Sequence, residues 1–448
     1  MIFDIEIDIL NMLALIKSLR GDKVIWALIA LLALFSFMPV FSASSNLAYA
    51  GKGTGNTVSY LIKHLVHVAL GFFIIYRIHK IPYHYFRSIS RILLPFIWLL
   101  LGYTLFKGTV IAGANASRWI QVPFVGISFQ PSTLAFIVLM IFVARYLSKT
   151  REEPLSFKSS FIDLWLPVGI TLMFILPANF STAALIFSMV LMLVFVGKYP
   201  LKYIGAVLGI GIVSFAFFIL IAKAFPNPLT SRVNTWEARI ERFFNDEVKD
   251  SDEVYQIERA KTAIATGGVY GLGPGKSVQK NFLPQSSSDF IYAIIVEEFG
   301  LAGGLAILAI YLLLFFRIVI AAHKANTLFG KLVVVGLGFP IVFQAMINMG
   351  VAVELLPTTG QTLPLISSGG SSIWVTCLAL GIIINVTKKE EEIAAENKEK
   401  AVRDAALQKM IDKQLKEDEE ALQKEENNKE NPEYSIEDNP MNAVLNKS

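Results

Sequence analysis

Only one of the 448 residues is a cysteine, so the chain can form no internal disulfide and its thiols do not indicate a redox compartment. Charged residues are also scarce, at 17%, whereas 54% of the residues are hydrophobic. The hydrophobic residues form long blocks, which excludes a string of soluble domains. The cysteine, Cys377, lies in the last block and is interpreted as a small packing residue.

Ten apolar blocks have roughly the 20 residues that a helix needs to cross the hydrocarbon core of a membrane. A backbone in lipid must satisfy its own hydrogen bonds, so each block is expected to be a helix. The blocks lie at residues 24–42, 58–76, 89–106, 128–147, 161–177, 181–197, 202–222, 302–322, 332–350 and 372–387. The sequence therefore predicts an all-α, polytopic integral membrane protein with about ten transmembrane helices, the first retained rather than cleaved.

Basic residues are rare in the short loops on one side of these spans, which hold only Lys52, Lys107 and Arg118. Because lysine and arginine accumulate on the cytoplasmic side, both termini are predicted to be cytoplasmic. Residues 223–289 then form one long extracytoplasmic loop between spans seven and eight, with a helical stretch at 235–261. The predicted domains are a cytoplasmic N-terminus at 1–23, a membrane domain at 24–387 and a charged cytoplasmic tail at 388–448.

The tail carries 17 acidic and 11 basic residues, which is typical of a solvated segment. A helix is predicted from Lys388 to about Lys424, with Leu407, Ile411 and Leu415 on one face. Disorder is expected beyond Glu425. A partner docking on the apolar face is the alternative to a plain solvated helix.

Asp289 is the most informative carboxylate, because it ends a polar loop directly before an apolar segment. An ionisable group at a membrane boundary is costly unless it has a partner or a function. Asp289 is therefore the candidate catalytic residue. The alternative is that it only caps a helix beginning at Phe290, since aspartate accepts backbone N–H bonds there.

Three basic residues in the predicted outer loops are candidates for binding an anionic group. Arg118 has the guanidinium geometry that binds phosphate in a bidentate manner. Lys276 and Lys280 belong to a glycine-rich loop whose backbone N–H groups suit an anion, although a plain turn fits equally well. This loop is not a nucleotide phosphate loop, because Tyr270 stands where that motif requires glycine.

The second span carries Lys63, His64 and His67, which are expected to point into the bundle because lipid would not tolerate them cheaply. The alternative for Lys63 is a side chain that reaches the membrane interface. A metal site on the two histidines lacks further ligands nearby.

The segment at 354–372 has no lysine or arginine but contains prolines and many hydroxyl groups. Irregular backbone between apolar spans is tolerated when it is buried in protein or lines a wet cavity. The segment is predicted to be a re-entrant or tightly packed outer loop beside the same cavity as Asp289. A surface turn is the alternative.

Four motifs, in this order along the chain, resemble those of the SEDS (shape, elongation, division and sporulation) family. They are residues 113–120 with Arg118, Gln-Pro-Ser at 130–132, residues 283–300 with Asp289, and residues 357–372 with Gly360 and Pro364. The resemblance covers roughly residues 20–388. It implies a ten-span enzyme of the bacterial cytoplasmic (inner) membrane that polymerises lipid II into peptidoglycan strands. The fourth motif is more similar to the division-type member, which works at the septum, than to the elongation-type member.

The resemblance also implies roles for individual residues. Asp289 would take the proton from the 4-hydroxyl of the N-acetylglucosamine of an incoming lipid II. Positive charge would steady the departing pyrophosphate, and the candidates are Arg118, Lys63, Lys276 and Lys280. A divalent cation is a further candidate to share this task with them, although no dense ligand cluster indicates one. Structural support is expected from Glu297, Glu298, Pro357, Thr358, Gly360, Pro364 and Ser367.

The chain departs from the family pattern at three positions. Thr133 and Phe136 stand where the family often has glutamate and lysine, and Gln285 replaces a usual glutamate. Two carboxylates are thus missing near the proposed site, which leaves Asp289 the best-placed acid in its loop.

The implied partners are lipid II, the nascent glycan strand, a class B penicillin-binding transpeptidase with one membrane span, other divisome membrane proteins and membrane lipid. No nucleic acid is expected. The alternative functions are an elongation-type polymerase, a lipid II flippase or transporter, and a scaffold that recruits other wall enzymes.

Overall fold

The structure is a computed structural model that describes residues 19–49, 57–108, 118–121, 128–151, 156–225, 233–237, 252–283, 285–388 and 390–430. These residues are almost entirely helical, which confirms the all-α prediction. The strands found among them are β1 (Ile120–Gln121) and β2 (Ser128–Phe129), which pair antiparallel with Ile120 opposite Phe129.

Most of the chain belongs to long helices. They are α1 (Lys23–Tyr49), α2 (Thr57–Ile78), α3 (His84–Lys107), α4 (Pro131–Lys149), α5 (Phe157–Ile175), α6 (Phe180–Val196), α7 (Leu201–Ala224), α8 (Asp252–Gly267), α9 (Ile291–Lys324), α10 (Leu328–Ala352), α11 (Gly370–Val386) and α12 (Glu390–Glu430). A π-helical turn, Phe161–Trp165, interrupts α5, and residues 233–237 form a further short helix.

Each of the ten predicted apolar blocks falls on one of these helices. Among the described residues, eight helices are long and apolar enough to cross a membrane, whereas α6 and α11 have 17 residues each. A helix of that length spans roughly 25 Å, slightly less than a typical hydrocarbon core. The multi-pass membrane class is thus confirmed, and the count of ten spans stays a prediction.

Burial differs strongly among the apolar helices. In α10, 72% of the most apolar window is buried, compared with 6% in α7. α10 therefore forms the centre of the bundle, where it contacts α4, α6, α9 and α11. α7 exposes side chains such as Ile212, Phe217 and Leu220, as expected for a lipid-facing helix.

The two ends of α11 contact different parts of the chain. Just before its first residue, the Ser368 N–H donates to the Ser287 carbonyl over 2.9 Å. Near its last residue, the Asn385 side chain accepts from the Tyr83 N–H over 2.9 Å. Since 17 helical residues extend roughly 25 Å, the loop with Asp289 and the start of α3 lie at opposite ends of the bundle.

Two regions outside the apolar helices differ from the sequence predictions. In the long loop, α8 continues to Gly267 rather than ending at residue 261, and residues 238–251 lie outside the described part. The tail beyond Lys388 is a unit of its own, and its described part is the helix α12. Its helix reaches Glu430, so the prediction of disorder beyond Glu425 is wrong for residues 426–430. Residues 431–448 lie outside the described part of the chain. Glutamate, lysine and alanine favour helix, and this explains the longer α12.

Candidate active site

Asp289 lies in a turn segment, residues 285–290, that leads directly into α9. The helix begins at Ile291 with Phe290 in the N-cap position, so Asp289 precedes the cap by one residue. The alternative that Asp289 is itself the N-cap is therefore wrong. Its side chain is half-buried, which leaves part of it open to a reactant.

Asn348 of α10 fixes the backbone at Asp289. Its side-chain amide donates to the Asp289 carbonyl over 2.8 Å and to the Gln361 carbonyl over 2.7 Å. Asn348 is only 1% exposed, and a buried polar group without a hydrogen-bond partner is destabilising, so these two bonds hold the backbone in place. The sequence analysis missed this residue, and its signal was an amide side chain, one turn after Gln344, within an apolar span.

The loop between α10 and α11 is attached to the Asp289 segment by serine hydroxyls. Ser367 Oγ donates to the Ser288 carbonyl over 2.7 Å and accepts from the Leu363 N–H over 2.8 Å. Ser368 Oγ donates to the Ser287 carbonyl over 2.9 Å. Residues 363–367 are buried, so the predicted tight packing is observed in this part of the loop, whereas residues 354–356 are exposed.

The residues of this loop that were predicted to support the site differ in their burial and contacts. A Cβ built on Gly360 would lie 3.5 Å from Asp289 Oδ2, and Gly360 has a φ of +65°. Pro364 is buried, and its carbonyl accepts a hydrogen bond from the Tyr311 hydroxyl. Pro357 and Thr358 are half-buried. Gly360 thus adjoins the carboxylate.

Glu297 and Glu298 are buried carboxylates with hydrogen-bond donors around them. Glu297 accepts from the Val278 N–H at 3.0 Å, from the Gln279 N–H at 3.2 Å and from the Ser277 hydroxyl. Glu298 accepts from the Ser42 hydroxyl and from the Ser277 N–H at 3.3 Å. Buried charges persist only with such partners. The two acids therefore join α9 to the loop that precedes Asp289 and to α1.

A close backbone contact at Gly300 also attaches α9 to the loop that follows α8. Gly300 interrupts α9 with a φ of +70°, and a Cβ on it would lie 2.2 Å from the Val269 carbonyl oxygen. The freed backbone groups pair with the loop after α8, since the Leu272 N–H donates to the Glu297 carbonyl and the Leu301 N–H to the Gly268 carbonyl, each over 2.9 Å. Only glycine permits this approach and this φ.

Two of the candidate phosphate-binding residues, Lys276 and Lys280, lie on this attached loop. Lys280 Nζ donates to Ser42 Oγ over 3.0 Å and to the Gly275 carbonyl over 2.8 Å, which places it beside Glu298. Lys276 is exposed.

Arg118 lies elsewhere, where its Nε donates to the Ala178 carbonyl over 2.7 Å in the connection between α5 and α6. Its side chain is half-buried. Within the described residues, no three histidine, cysteine, aspartate or glutamate side chains group closely enough to hold a metal ion.

The three residues of α2 that were expected to point into the bundle do not all face inward. His64 is buried and bonds to Ser36 Oγ over 2.7 Å, and the half-buried His67 stacks on Trp374 with ring centroids 5.3 Å apart. Lys63 is exposed, with Nζ 5.5 Å from the centre of the Tyr60 ring. The prediction that Lys63 points into the bundle is wrong, because its position on the helix directs it away from the buried face that includes His64.

A cavity of about 120 Å³ lies among α4, α6, α10 and α11, and none of the residues that line it is charged. Thr133 and Phe136, which replace the family's usual charged pair, both line it. Gln361 also lines it, and the Asn348 amide connects Gln361 to Asp289. The Asp289 segment is therefore joined to the wall of a neutral cavity inside the bundle.

Comparisons with known proteins agree with this architecture. Residues 22–392 match the family model of FtsW, RodA and SpoVE, a family of cell cycle proteins. A probable peptidoglycan glycosyltransferase FtsW of Geobacter sulfurreducens is 32% identical over 373 residues, which cover 83% of this chain and 96% of the relative. A solved chain of a peptidoglycan synthase complex aligns with a TM-score of 0.62 at 23% identity, covering 82% of this chain and 98% of that one. The rod shape determining protein RodA of Thermus thermophilus aligns with a TM-score of 0.58 at 22% identity, covering 83% and 98%.

Proposed function

The chain belongs to the family of cell cycle proteins that includes FtsW, RodA and SpoVE, and we propose that it is a peptidoglycan glycosyltransferase of the FtsW type. Its substrate is lipid II, and its product is the glycan strand made during septal wall synthesis. The main support for this proposal is the family match over residues 22–392. The Asp289 segment, which Asn348 anchors, provides the candidate catalytic base.

Asp289 acts as the general base. The 4-hydroxyl of the incoming lipid II gives its proton to the Asp289 carboxylate while its oxygen forms a bond to the anomeric carbon of the growing strand. The bond from that carbon to the undecaprenyl pyrophosphate breaks, and the pyrophosphate leaves with the electron pair. Anchoring by Asn348 and Ser367 supports this role, since a base must be held within hydrogen-bond reach of the proton it takes.

The departing pyrophosphate needs positive charge beside it. Lys280 and Lys276 are the proposed contacts on the loop joined to Glu297 and Glu298, and Arg118 and Lys63 are the further candidates for the same pyrophosphate. A divalent cation bound together with the substrate is the alternative for this task. The uncharged cavity suits an apolar polyprenyl chain, because ligand pockets are mostly apolar with few polar groups.

The chain is a multi-pass membrane protein, and we place its activity at the outer face of the bacterial cytoplasmic membrane at the septum. A class B penicillin-binding transpeptidase with one span is the proposed partner, because a glycan polymerase forms no peptide cross-links. Other divisome membrane proteins are further proposed partners.

The decisive experiment supplies labelled lipid II to the purified full-length protein and measures glycan polymer. Asp289→Asn is expected to abolish polymer formation while the protein stays folded, and Glu258→Gln on the exposed face of α8 serves as the matched control. Polymer at the wild-type rate from Asp289→Asn would remove Asp289 as the base. Lipid II that crosses vesicle membranes without any polymer would favour the transporter alternative instead.

A further inference from the structure

Three arginines converge at the end of the bundle opposite Asp289. Arg87 and Arg91 lie near the start of α3, and Arg145 lies one turn before the end of the adjacent, antiparallel α4. The start of α3 contacts Asn385 at the far end of α11 from the Asp289 loop. We call these three residues the arginine cluster.

The charges of the arginine cluster repel one another. Arg145 interacts electrostatically with Arg91 and Arg87, and both interactions are unfavourable. Arg87 and Arg91 are also four residues apart on one helix, a spacing at which like charges destabilise. In the part of the chain that the structure describes, no carboxylate pairs with any of the three. The ion pair at this end joins Arg317 to Asp22 over 2.6 Å instead.

The arginine cluster lies beside apolar surface that faces lipid. The Arg87 guanidinium lies 5.9 Å from the centre of the Phe329 ring, which holds it near the start of α10. Arg145 is half-buried between helices, whereas Arg87 and Arg91 are exposed. Ile92, next to Arg91, is 74% exposed on a helix long enough to span the membrane. Guanidinium groups and an exposed apolar side chain therefore adjoin each other.

We infer that the arginine cluster binds the phosphate headgroup of an anionic membrane lipid. Guanidinium groups bind phosphate through two parallel hydrogen bonds, and a phosphate supplies the negative counter-charge that the described carboxylates do not provide to these arginines. Basic pockets between transmembrane helices are suited to anionic headgroups. A lipid fits better than a free phosphate, because the exposed Ile92 offers its acyl chains an apolar contact.

The test measures which lipids stay bound to the full-length protein. Protein is reconstituted in vesicles of equal parts phosphatidylcholine and phosphatidylglycerol, extracted gently, and weighed by native mass spectrometry with its retained lipids. Wild-type protein is expected to retain phosphatidylglycerol in preference to phosphatidylcholine. Arg145→Gln should weaken this preference roughly fivefold and the double variant Arg87→Gln/Arg91→Gln roughly 25-fold, since each substitution removes hydrogen bonds to the bound phosphate, and a hydrogen bond to a charged group contributes about that factor or more.

Arg77→Gln is the matched control, because Arg77 is an exposed arginine at the end of α2 that is not part of the arginine cluster. It should keep the wild-type preference. Each variant is compared only as folded, monodisperse protein. If the double variant does not fold, the single variant Arg145→Gln is sufficient to test the inference. Equal retention of both lipids by wild-type protein, or an unchanged preference in both variants, overturns the inference. Displacement of the retained lipid by inorganic phosphate at low concentration would show that phosphate alone is the ligand and overturn the lipid assignment.

Discussion

Gly360 lies against the carboxylate of Asp289, since a Cβ atom on Gly360 would be 3.5 Å from Oδ2. Gly360 also has a φ of +65°, where an alanine costs about 1–2 kcal/mol. Gly360→Ala is expected to lose about that much stability and also to slow polymerisation, because the added methyl group occupies the approach to the carboxylate.

Gly268→Ala separates these two effects. Gly268 has a φ of +52° with open space where its Cβ would lie, so its replacement has the backbone cost without the contact to Asp289. Both variants should lower the thermal midpoint, and only Gly360→Ala should lower the rate per folded molecule. Equal rates for the two would show that the Gly360 contact does not matter for turnover.

Asn348→Ala removes both bonds that fix the backbone at Asp289 and Gln361. We expect a loss of about 1–3 kcal/mol in stability, because two buried carbonyl groups lose their donor, and a fall in rate of about tenfold or more. Asn385→Ala is the control, since Asn385 is an equally buried asparagine that bonds to Tyr83 at the opposite end of the bundle. The prediction fails if both variants keep the same rate per folded molecule.

Glu297→Gln tests the attachment of the loop that precedes Asp289. The carboxylate accepts two backbone N–H bonds and a hydroxyl bond, and an amide cannot replace all of these. A loss of about 2 kcal/mol is expected, together with faster proteolysis between residues 268 and 290. The exposed Glu258→Gln should leave both measurements unchanged. Unaltered proteolysis in Glu297→Gln would contradict the proposed attachment.

Gly300→Ala places a methyl group where the Val269 carbonyl lies, 2.2 Å away. The backbone pairing between α9 and the loop after α8 must then open, which we expect to cost about 3 kcal/mol or more. Gly209→Ala in α7 is the opposite case, because nothing lies within 4 Å and alanine favours helix, so stability should stay equal or rise. Thermal unfolding of both variants in one detergent decides between the outcomes.

His79 makes stability depend on pH. Burial, and then the charge of Lys388, lower the pKa of His79 below its usual 6.5. The unfolded chain therefore binds a proton that the folded chain excludes, so stability is full above about pH 6.5 and falls as the pH drops toward the lower folded pKa. The thermal midpoint should decrease from pH 7.5 to 5.5, and His79→Gln should flatten this dependence. An unchanged slope in the variant would assign the dependence to other groups.

The sequence predicted the fold class and the main acid for local reasons. Apolar blocks of membrane-spanning length must become helices whatever surrounds them, and each block fell on a helix. Asp289 was identified because a carboxylate between a polar loop and an apolar segment is costly wherever it lies. Where local propensity alone sets a boundary, as at the end of α12, the prediction missed by several residues.

The sequence by itself determined which segments form apolar helices and which acid stands at their edge, because these depend on the composition of neighbouring residues. Only the tertiary structure decided what holds that acid in place. The bond between Ser42 and Glu298 joins residues 256 positions apart, and the Asn348 bond to Asp289 joins residues 59 apart. The outward direction of Lys63 likewise depends on which face of α2 packs against α1 and α11. Such contacts depend on how helices pack, which periodicity along one helix does not specify.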